Sequence, residues 1–112
     1  MLSSVECLLK ENQTELLSER RSVERKPFVR PVTIRAGREQ DIVAFAFSRD
    51  ISPVGIGLIS QISWKERTRG SIEVLSTKRH ECYVIYAEVR WTRVFGDNWY
   101  YTGWRFLEED NT

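Results

Sequence analysis

Residues 82–95 of this 112-residue chain read CYVIYAEVRWTRVF and carry the strongest secondary-structure signal in the sequence. Mostly apolar side chains recur there at every second position, which predicts one common face: Tyr83, Ile85, Ala87, Val89 and Trp91. Because successive side chains of a β-strand point to opposite faces, this alternation predicts one long strand. Gly96, Asp97 and Asn98 have the composition of a tight turn, so residues 99–107 are expected to pair back as a hairpin.

Four shorter stretches also have strand composition and are separated by turn residues: 28–35, 42–47, 56–59 and 71–76. Residues 42–47 are apolar at every position, which predicts a strand covered on both faces. A sheet of about six strands must protect its edges, and closure into a small barrel does so. The sequence therefore predicts an all-β fold, a six-stranded closed antiparallel β-barrel, with an N-terminal helical or flexible segment.

Three parts of the chain differ in composition. Residues 1–19 have apolar side chains at loosely helical spacing, but residues 10–15 contain none, so this part is expected to be a helix or a flexible extension. Residues 20–108 contain all the predicted strands and form the expected barrel domain. Residues 109–112 form a short acidic tail. The chain is long enough for a single core of modest size.

The charge balance argues against a nucleic-acid partner. The formal net charge is +1, and charged residues make up 29% of the chain. Non-specific DNA or RNA binding depends on an excess of cationic side chains, which this chain lacks. No DNA or RNA partner is expected, and any anion site must come from local clustering of arginines.

Cysteine, histidine and hydropathy patterns indicate the compartment. One histidine and two distant cysteines, Cys7 and Cys82, form neither a zinc-binding pattern nor a disulfide framework, so two reduced thiols and no metal are expected. No apolar run is long enough to cross a bilayer, and the first residues lack the pattern of a signal peptide. A cytoplasmic location without a transmembrane segment is expected.

Three arginines lie within six residues: Arg20, Arg21 and Arg25. Pro27 disfavours a helix running through this segment. Guanidinium groups bind phosphate in a bidentate manner and also pair with the O6 and N7 atoms of guanine. The segment therefore predicts either a site for a small phosphorylated ligand or a solvated charged linker.

Asp50-x-Ser52-x-x-Gly55 lies between two predicted strands. Asp and Ser commonly cap turns by bonding backbone N–H groups, and Gly55 could supply a positive φ. Alternatively, Asp50 accepts hydrogen bonds from N1–H and N2–H₂ of a guanine, while Ser52 bonds a phosphate or a base. Both interpretations fit the spacing.

Trp91 also has two interpretations. Its alternation with Val89 predicts a core or half-buried side chain. The sharper interpretation is a stacking platform for a guanine, since stacking of a base on an aromatic ring is worth ~1–3 kcal/mol.

The ordered set Arg20, Arg21-x-x-x-Arg25 and Asp50-x-Ser52-x-x-Gly55 resembles the PilZ domain, a bacterial receptor for cyclic di-GMP. The tail GWRFL (residues 103–107) looks like the closing strand of that family, and VRW (residues 89–91) looks like the strand before it. The resemblance covers roughly residues 19–108 and implies a barrel whose arginine linker clamps the ligand on the outer face. It implies that the arginines contact phosphates and guanine, that Asp50 and Ser52 contact another side of a base, and that Gly55 holds the turn.

A receptor is expected rather than an enzyme. The chain has no P-loop, nucleophile elbow or metal-binding helix motif, so neither catalytic residues nor a cofactor are expected. Residues 19–27 are expected to be mobile and mutually repelling until ligand phosphates neutralise them, which would present a new surface to an unidentified protein partner. An oligomer is compatible with this scheme. The alternatives are a nucleotide-independent protein-interaction module and, less favoured by the charge, a single-stranded nucleic-acid binder.

Overall fold

The structure, a computed structural model, describes residues 3–13, 25–37, 41–78 and 81–107. Its elements follow one another in chain order: α1 Ser4–Gln13, β1 Lys26–Pro27, β2 Pro31–Ala36, β3 Ile42–Ile51, β4 Gly55–Ser60, β5 Arg69–Leu75, β6 Cys82–Gly96 and β7 Trp99–Phe106. The hairpin predicted at residues 82–107 is confirmed as β6 and β7, joined by Asp97 and Asn98. Asn98 has a φ of 61°, which suits this tight turn.

Six of the strands close into an antiparallel barrel. Hydrogen-bonded neighbours run β3-β2-β5-β6-β7-β4, and β4 pairs back with β3 to complete the ring. The two-residue β1 pairs with β3 through Lys26↔Ile51 and Pro27↔Asp50. Closure leaves these six strands without a free edge, which confirms the predicted fold class.

Inward-facing side chains fill the barrel. Trp104 of β7 is fully buried and packs edge-on against Trp64, with ring centroids 5.8 Å apart. Both indole N–H groups have partners: Trp104 donates to the Thr102 hydroxyl at 2.8 Å, and Trp64 donates to the Ser60 hydroxyl at 3.2 Å. Satisfied donors allow these large rings to be buried without an unpaired polar group.

The prediction that β3 is covered on both faces is wrong. Its burial alternates: Ala44 and Ala46 point into the barrel, whereas Val43, Phe45 and Phe47 are 46%, 82% and 50% exposed. Because successive side chains of a strand point to opposite faces, the two alanines face the interior and the larger apolar side chains occupy the outer face. An antiparallel sheet can leave one face towards solvent, so an uninterrupted apolar run did not require two covered faces.

The predicted common face of β6 is correct up to Val89 and wrong at Trp91. Val89 pairs with Trp104, but Trp91 pairs with Gly103, so the register shifts by one residue between them. Arg90 is the extra residue of this β-bulge. Because Val89 and Trp104 face the interior and Gly103 follows the opposite phase, the bulge turns Trp91 to the outer face.

Helix α1 packs on the barrel. Ser3 caps it: the Ser3 hydroxyl accepts from the backbone N–H of Glu6 at 3.1 Å, while the Ser3 N–H donates to Glu6 Oε1 at 3.5 Å. Leu8 is fully buried in the core. The helix lies inside the predicted N-terminal segment, of which residues 14–19 are outside the described part.

The helix is also attached through a buried carboxylate. Glu11 is 7% exposed and accepts from Arg30 at 2.8 Å and from the Ser76 hydroxyl at 2.7 Å. Burial by itself raises the pKa of Glu11, but the hydrogen bonds from Ser76, Arg30 and Thr77 outweigh it, and the net pKa is lowered. The ionised carboxylate therefore holds α1 against Arg30, directly before β2, and against Ser76 and Thr77, directly after β5.

The structure also describes both cysteines and the one helix of the described residues. Cys7 and Cys82 are free cysteines, as expected from their separation. Within the described residues, no helix has the length and apolar character needed to cross a membrane.

Candidate functional site

Arg25 and Asp50 form an ion pair on the outer face of the barrel. Arg25 lies directly before β1 and Asp50 lies near the end of β3, and β1–β3 pairing brings them together. The Arg25 Nη1 atom donates to Asp50 Oδ1 at 2.7 Å, and Asp50 is the more enclosed partner, with its side chain 16% exposed. Two sequence motifs separated along the chain thus meet in space. Arg20 and Arg21 lie outside the described residues.

The second oxygen of Asp50 also has a partner. The hydroxyl of Tyr101, on β7, donates to Asp50 Oδ2. Burial of the phenol raises the pKa of Tyr101, and the hydrogen bond to Asp50 and its negative charge raise it further, against smaller opposing effects of Arg25 and Arg49. Tyr101 is therefore a neutral donor at neutral pH, and both carboxylate oxygens of Asp50 are held from other elements.

Ser52 holds the turn between β3 and β4. Its side chain is buried, and its hydroxyl accepts from the backbone N–H groups of Val54 and Gly55 at 3.2 Å each. The backbone N–H of Ser52 donates to the Gly55 carbonyl at 2.9 Å. These contacts agree with the turn-capping interpretation of the sequence. A direct bond from Ser52 to a ligand stays a prediction.

Gly55 is required for space rather than for a left-handed backbone. Among the glycines of the described residues, only Gly37 has a positive φ, so the positive φ expected at Gly55 is wrong. A Cβ at Gly55 would lie 2.5 Å from the Trp104 carbonyl oxygen and 3.4 Å from Arg25 Nη2. Gly55 thus lets β4 approach β7 and leaves room for the guanidinium group of Arg25.

Trp91 lies half-buried over Gly103. A Cβ at Gly103 would be 2.2 to 2.5 Å from three atoms of the indole, so the ring occupies the place of the missing side chain. The Arg93 guanidinium lies over this ring, 4.8 Å from its centroid, in a cation–π contact. The ring is half-buried, as one sequence interpretation predicts, and it also borders a cleft, while stacking on a guanine stays a prediction.

The cleft has a volume of about 220 Å³ and is bordered by Arg25, Gly55, Arg90, Trp91 and Arg105. Arg25, Gly55 and Trp91 of the predicted site therefore share one surface, with Asp50 bonded to Arg25 at its side and Ser52 beneath the turn. Three cationic groups beside an aromatic ring suit an anionic ligand with a planar base. Within the part of the chain that the structure describes, no group of acidic, histidine or cysteine side chains could hold a metal ion.

Sequence reasoning missed three residues of this surface: Tyr101, which bonds Asp50, and Arg90 and Arg105, which border the cleft. The signal for Tyr101 was available, because Tyr101, Gly103 and Arg105 share one face of β7 by their period of two. No such signal was available for Arg90. It lies at a β-bulge, and a bulge depends on the pairing partner and not on the strand alone.

The closed barrel, with Arg25 joined to the Asp–Ser–Gly motif, defines a small β-barrel domain with a cationic cleft on its outer face. The chain belongs to the PilZ domain family, whose family model matches residues 19–112.

Two solved structures are similar to this chain. The inhibitor of motility MotI/DgrA from Bacillus subtilis matches with a TM-score of 0.61 and 17% identity, over 83% of this chain and 44% of that one, so this chain spans less than half of that protein. The PilZ domain of YcgR from Escherichia coli, a structure with c-di-GMP, matches with a TM-score of 0.54 and 17% identity, over 83% of this chain and 82% of that one. At this identity the likeness shows the fold alone. No curated protein sequence matches the chain.

Proposed function

We propose that this chain is a cytoplasmic receptor that binds cyclic di-GMP at the cleft beside Trp91 and acts as an adaptor for a protein partner. The observation that carries the proposal is the Arg25–Asp50 ion pair, which brings the two halves of the family motif to one surface. Membership of the PilZ domain family supports the same ligand, as does the c-di-GMP in the structure of the YcgR domain.

Each site residue has a role set by its chemistry. Arg20, Arg21 and Arg25 bind phosphates and the O6 and N7 atoms of guanine. Asp50 accepts from N1–H and N2–H₂ of a guanine, and Trp91 supplies a stacking surface. Ser52 and Gly55 keep the turn in shape beneath the ligand, by the contacts described above. Binding needs no covalent step, so the function is that of a receptor rather than an enzyme and requires no cofactor.

The position of the arginines between the helix and the barrel supports a way to pass ligand binding on to a partner protein. Residues 20–25 connect the segment that contains α1 to the barrel. A dianionic ligand that neutralises their mutual repulsion favours one arrangement of this linker over others. The linker and the adjoining helix then form a changed surface for the partner protein.

The proposal is tested by calorimetric titration with cyclic di-GMP. Wild-type protein is expected to bind in the micromolar range or tighter. Arg25→Ala removes a charge-assisted hydrogen bond worth roughly 1.5–3 kcal/mol, so affinity is expected to fall about ten- to a hundred-fold.

Arg35→Ala is the matched control, because Arg35 forms a comparable ion pair with Glu73 at 2.9 Å on another part of the outer face. Its affinity for cyclic di-GMP should equal that of the wild type. Absence of binding heat with wild-type protein would contradict the proposal. That result would leave the nucleotide-independent interaction module, which is favoured by the exposed aromatic side chains of β3, Phe45 and Phe47.

A further inference from the structure

Tyr101 connects the two sides of the candidate site, although neither sequence motif contains it. Its hydroxyl donates to Asp50 Oδ2 on one side. Its ring packs edge-on against Trp91 on the other, with centroids 4.9 Å apart and an interplanar angle of 75°. One side chain therefore contacts both the carboxylate and the aromatic surface assigned to the nucleobase.

The ring of Tyr101 is held by further contacts. The Arg49 guanidinium lies 4.8 Å from its centroid, and the Phe95 ring packs edge-on at 6.5 Å. Arg49 lies on β3, whereas Phe95 and Trp91 lie on β6, so the ring is held from two different strands. A ring confined in this way presents its hydroxyl at a defined position, which is the condition for one side chain to orient another.

The backbone of β4 is shaped for this contact. Asp50 pairs with Gly57, and Gly57 pairs with Gly103, so no side chain stands between Asp50 and β7 at this level. A Cβ at Gly57 would lie 2.6 Å from Tyr101 Cε1 and 2.7 Å from Asp50 Oδ1. The Tyr101–Asp50 hydrogen bond therefore depends on glycine at this position.

We propose that Tyr101 is a positioning residue that determines base specificity, by holding the Asp50 carboxylate towards the Watson–Crick edge of a guanine. The inference rests on the proposed function. A carboxylate has about four lone-pair sites, of which Arg25 and Tyr101 use one on each oxygen. The remaining sites accept N1–H and N2–H₂ of guanine once the plane of the carboxylate is set.

The consequence is discrimination between guanine and adenine. Adenine has an acceptor at N1 and no 2-amino group, so it cannot satisfy the oriented carboxylate. A site built to hydrogen-bond a donor rejects the analogue that lacks it, because the polar group is left unpaired. Removing the Tyr101 hydroxyl frees the carboxylate to rotate, which weakens the contact with guanine and leaves adenine binding unchanged.

The test compares Tyr101→Phe with wild type in a competition assay, in which unlabelled cyclic di-GMP or cyclic di-AMP displaces fluorescent cyclic di-GMP. Affinity for cyclic di-GMP is expected to fall about five- to fifty-fold, as for loss of a hydrogen bond to a charged group, while affinity for cyclic di-AMP stays the same. Tyr86→Phe is the matched control, since it removes the same hydroxyl from a side chain 50% exposed on β6. Gly57→Ala keeps the Tyr101 hydroxyl but displaces it from Asp50. This variant is therefore also expected to lose affinity for cyclic di-GMP and to keep its affinity for cyclic di-AMP.

The outcomes separate this inference from the proposed function. If Tyr101→Phe behaves like Tyr86→Phe, or if both dinucleotides lose affinity by the same factor, Tyr101 does not set specificity. In either case wild-type binding of cyclic di-GMP would still support the receptor. If wild-type protein binds neither dinucleotide, the proposed function fails and this inference fails with it.

Discussion

Gly103 and Trp91 show how one missing side chain positions a functional one. The indole ring lies where a Cβ of residue 103 would be, and its plane is at 75° to that of the Tyr101 ring. The backbone of β7 therefore supports the ring in one position. A half-buried aromatic ring held in this way can contribute to the proposed binding at little cost in conformational entropy.

Gly103→Ala is expected to destabilise the protein by about 1–3 kcal/mol, because the new methyl group collides with the indole and the neighbours must shift. In a Trp91→Ala background, Gly103→Ala should change the free energy of unfolding only slightly, because the indole that it collides with is absent. Urea unfolding of the four proteins measures the coupling between the two positions. An equal loss in both backgrounds would show that Gly103 is required by the backbone and not by Trp91.

Helix α1 is joined to the barrel by both apolar packing and charge. Leu8 enters the core, and Glu11 accepts hydrogen bonds from Arg30, directly before β2, and from Ser76, directly after β5. The helix therefore contacts the segment between β1 and β2, to which Arg30 belongs. In the proposed function, this attachment is how a change in the arginine linker would reach the helix.

Glu11→Gln is expected to lower stability by about 1–3 kcal/mol at neutral pH, because it removes a charged acceptor from Ser76 and Arg30. Since the folded-state pKa of Glu11 is lowered, its contribution is present above the ordinary glutamate pKa and is lost as the pH falls through the folded-state value.

Thermal unfolding of wild type and Glu11→Gln should therefore converge as the pH falls from about 7 to about 3. Glu66→Gln, which changes an exposed carboxylate, is the control and should follow the wild type throughout. A gap between wild type and Glu11→Gln that is constant with pH would indicate that the ionised carboxylate is not what attaches the helix.

At the scale of the whole molecule, barrel closure assembles a locally cationic surface on a nearly neutral chain. The net charge is only +1, yet Arg25, Arg90 and Arg105 border one cleft. The residues come from the segment before β1 and from β6 and β7, which are distant in sequence. Local clustering of this kind can create an anion site although the chain as a whole carries little net charge.

Ligand binding is expected to protect the arginine linker from trypsin. At a cyclic di-GMP concentration about 100 times Kd, cleavage after Arg20, Arg21 and Arg25 should slow by up to about 100-fold if only the unbound form is cut. Cleavage after Lys78, an exposed turn residue, serves as the internal control and should not change. Unchanged cleavage at all sites under saturating ligand would contradict ordering of the linker while leaving binding itself intact.

Much of the architecture could be predicted from local patterns. The long strand at residues 82–95, its turn and the return strand were readable because side-chain alternation and turn chemistry depend on neighbours along the chain. Closure followed from the need to protect strand edges. The order of the arginine and Asp–Ser–Gly motifs along the chain indicated the family, which the family model over residues 19–112 confirms.

Contacts across the barrel depended on the fold. Trp91 faces outward because a bulge forms against β7, and Phe45 is exposed because nothing among the described residues packs over that face of β3. The Tyr101–Asp50 contact joins residues 51 positions apart across a glycine of β4. Periodicity assigns a side chain to one of two faces, but register with other strands determines which face it is and what it touches, and that information lies in the pairing of distant segments.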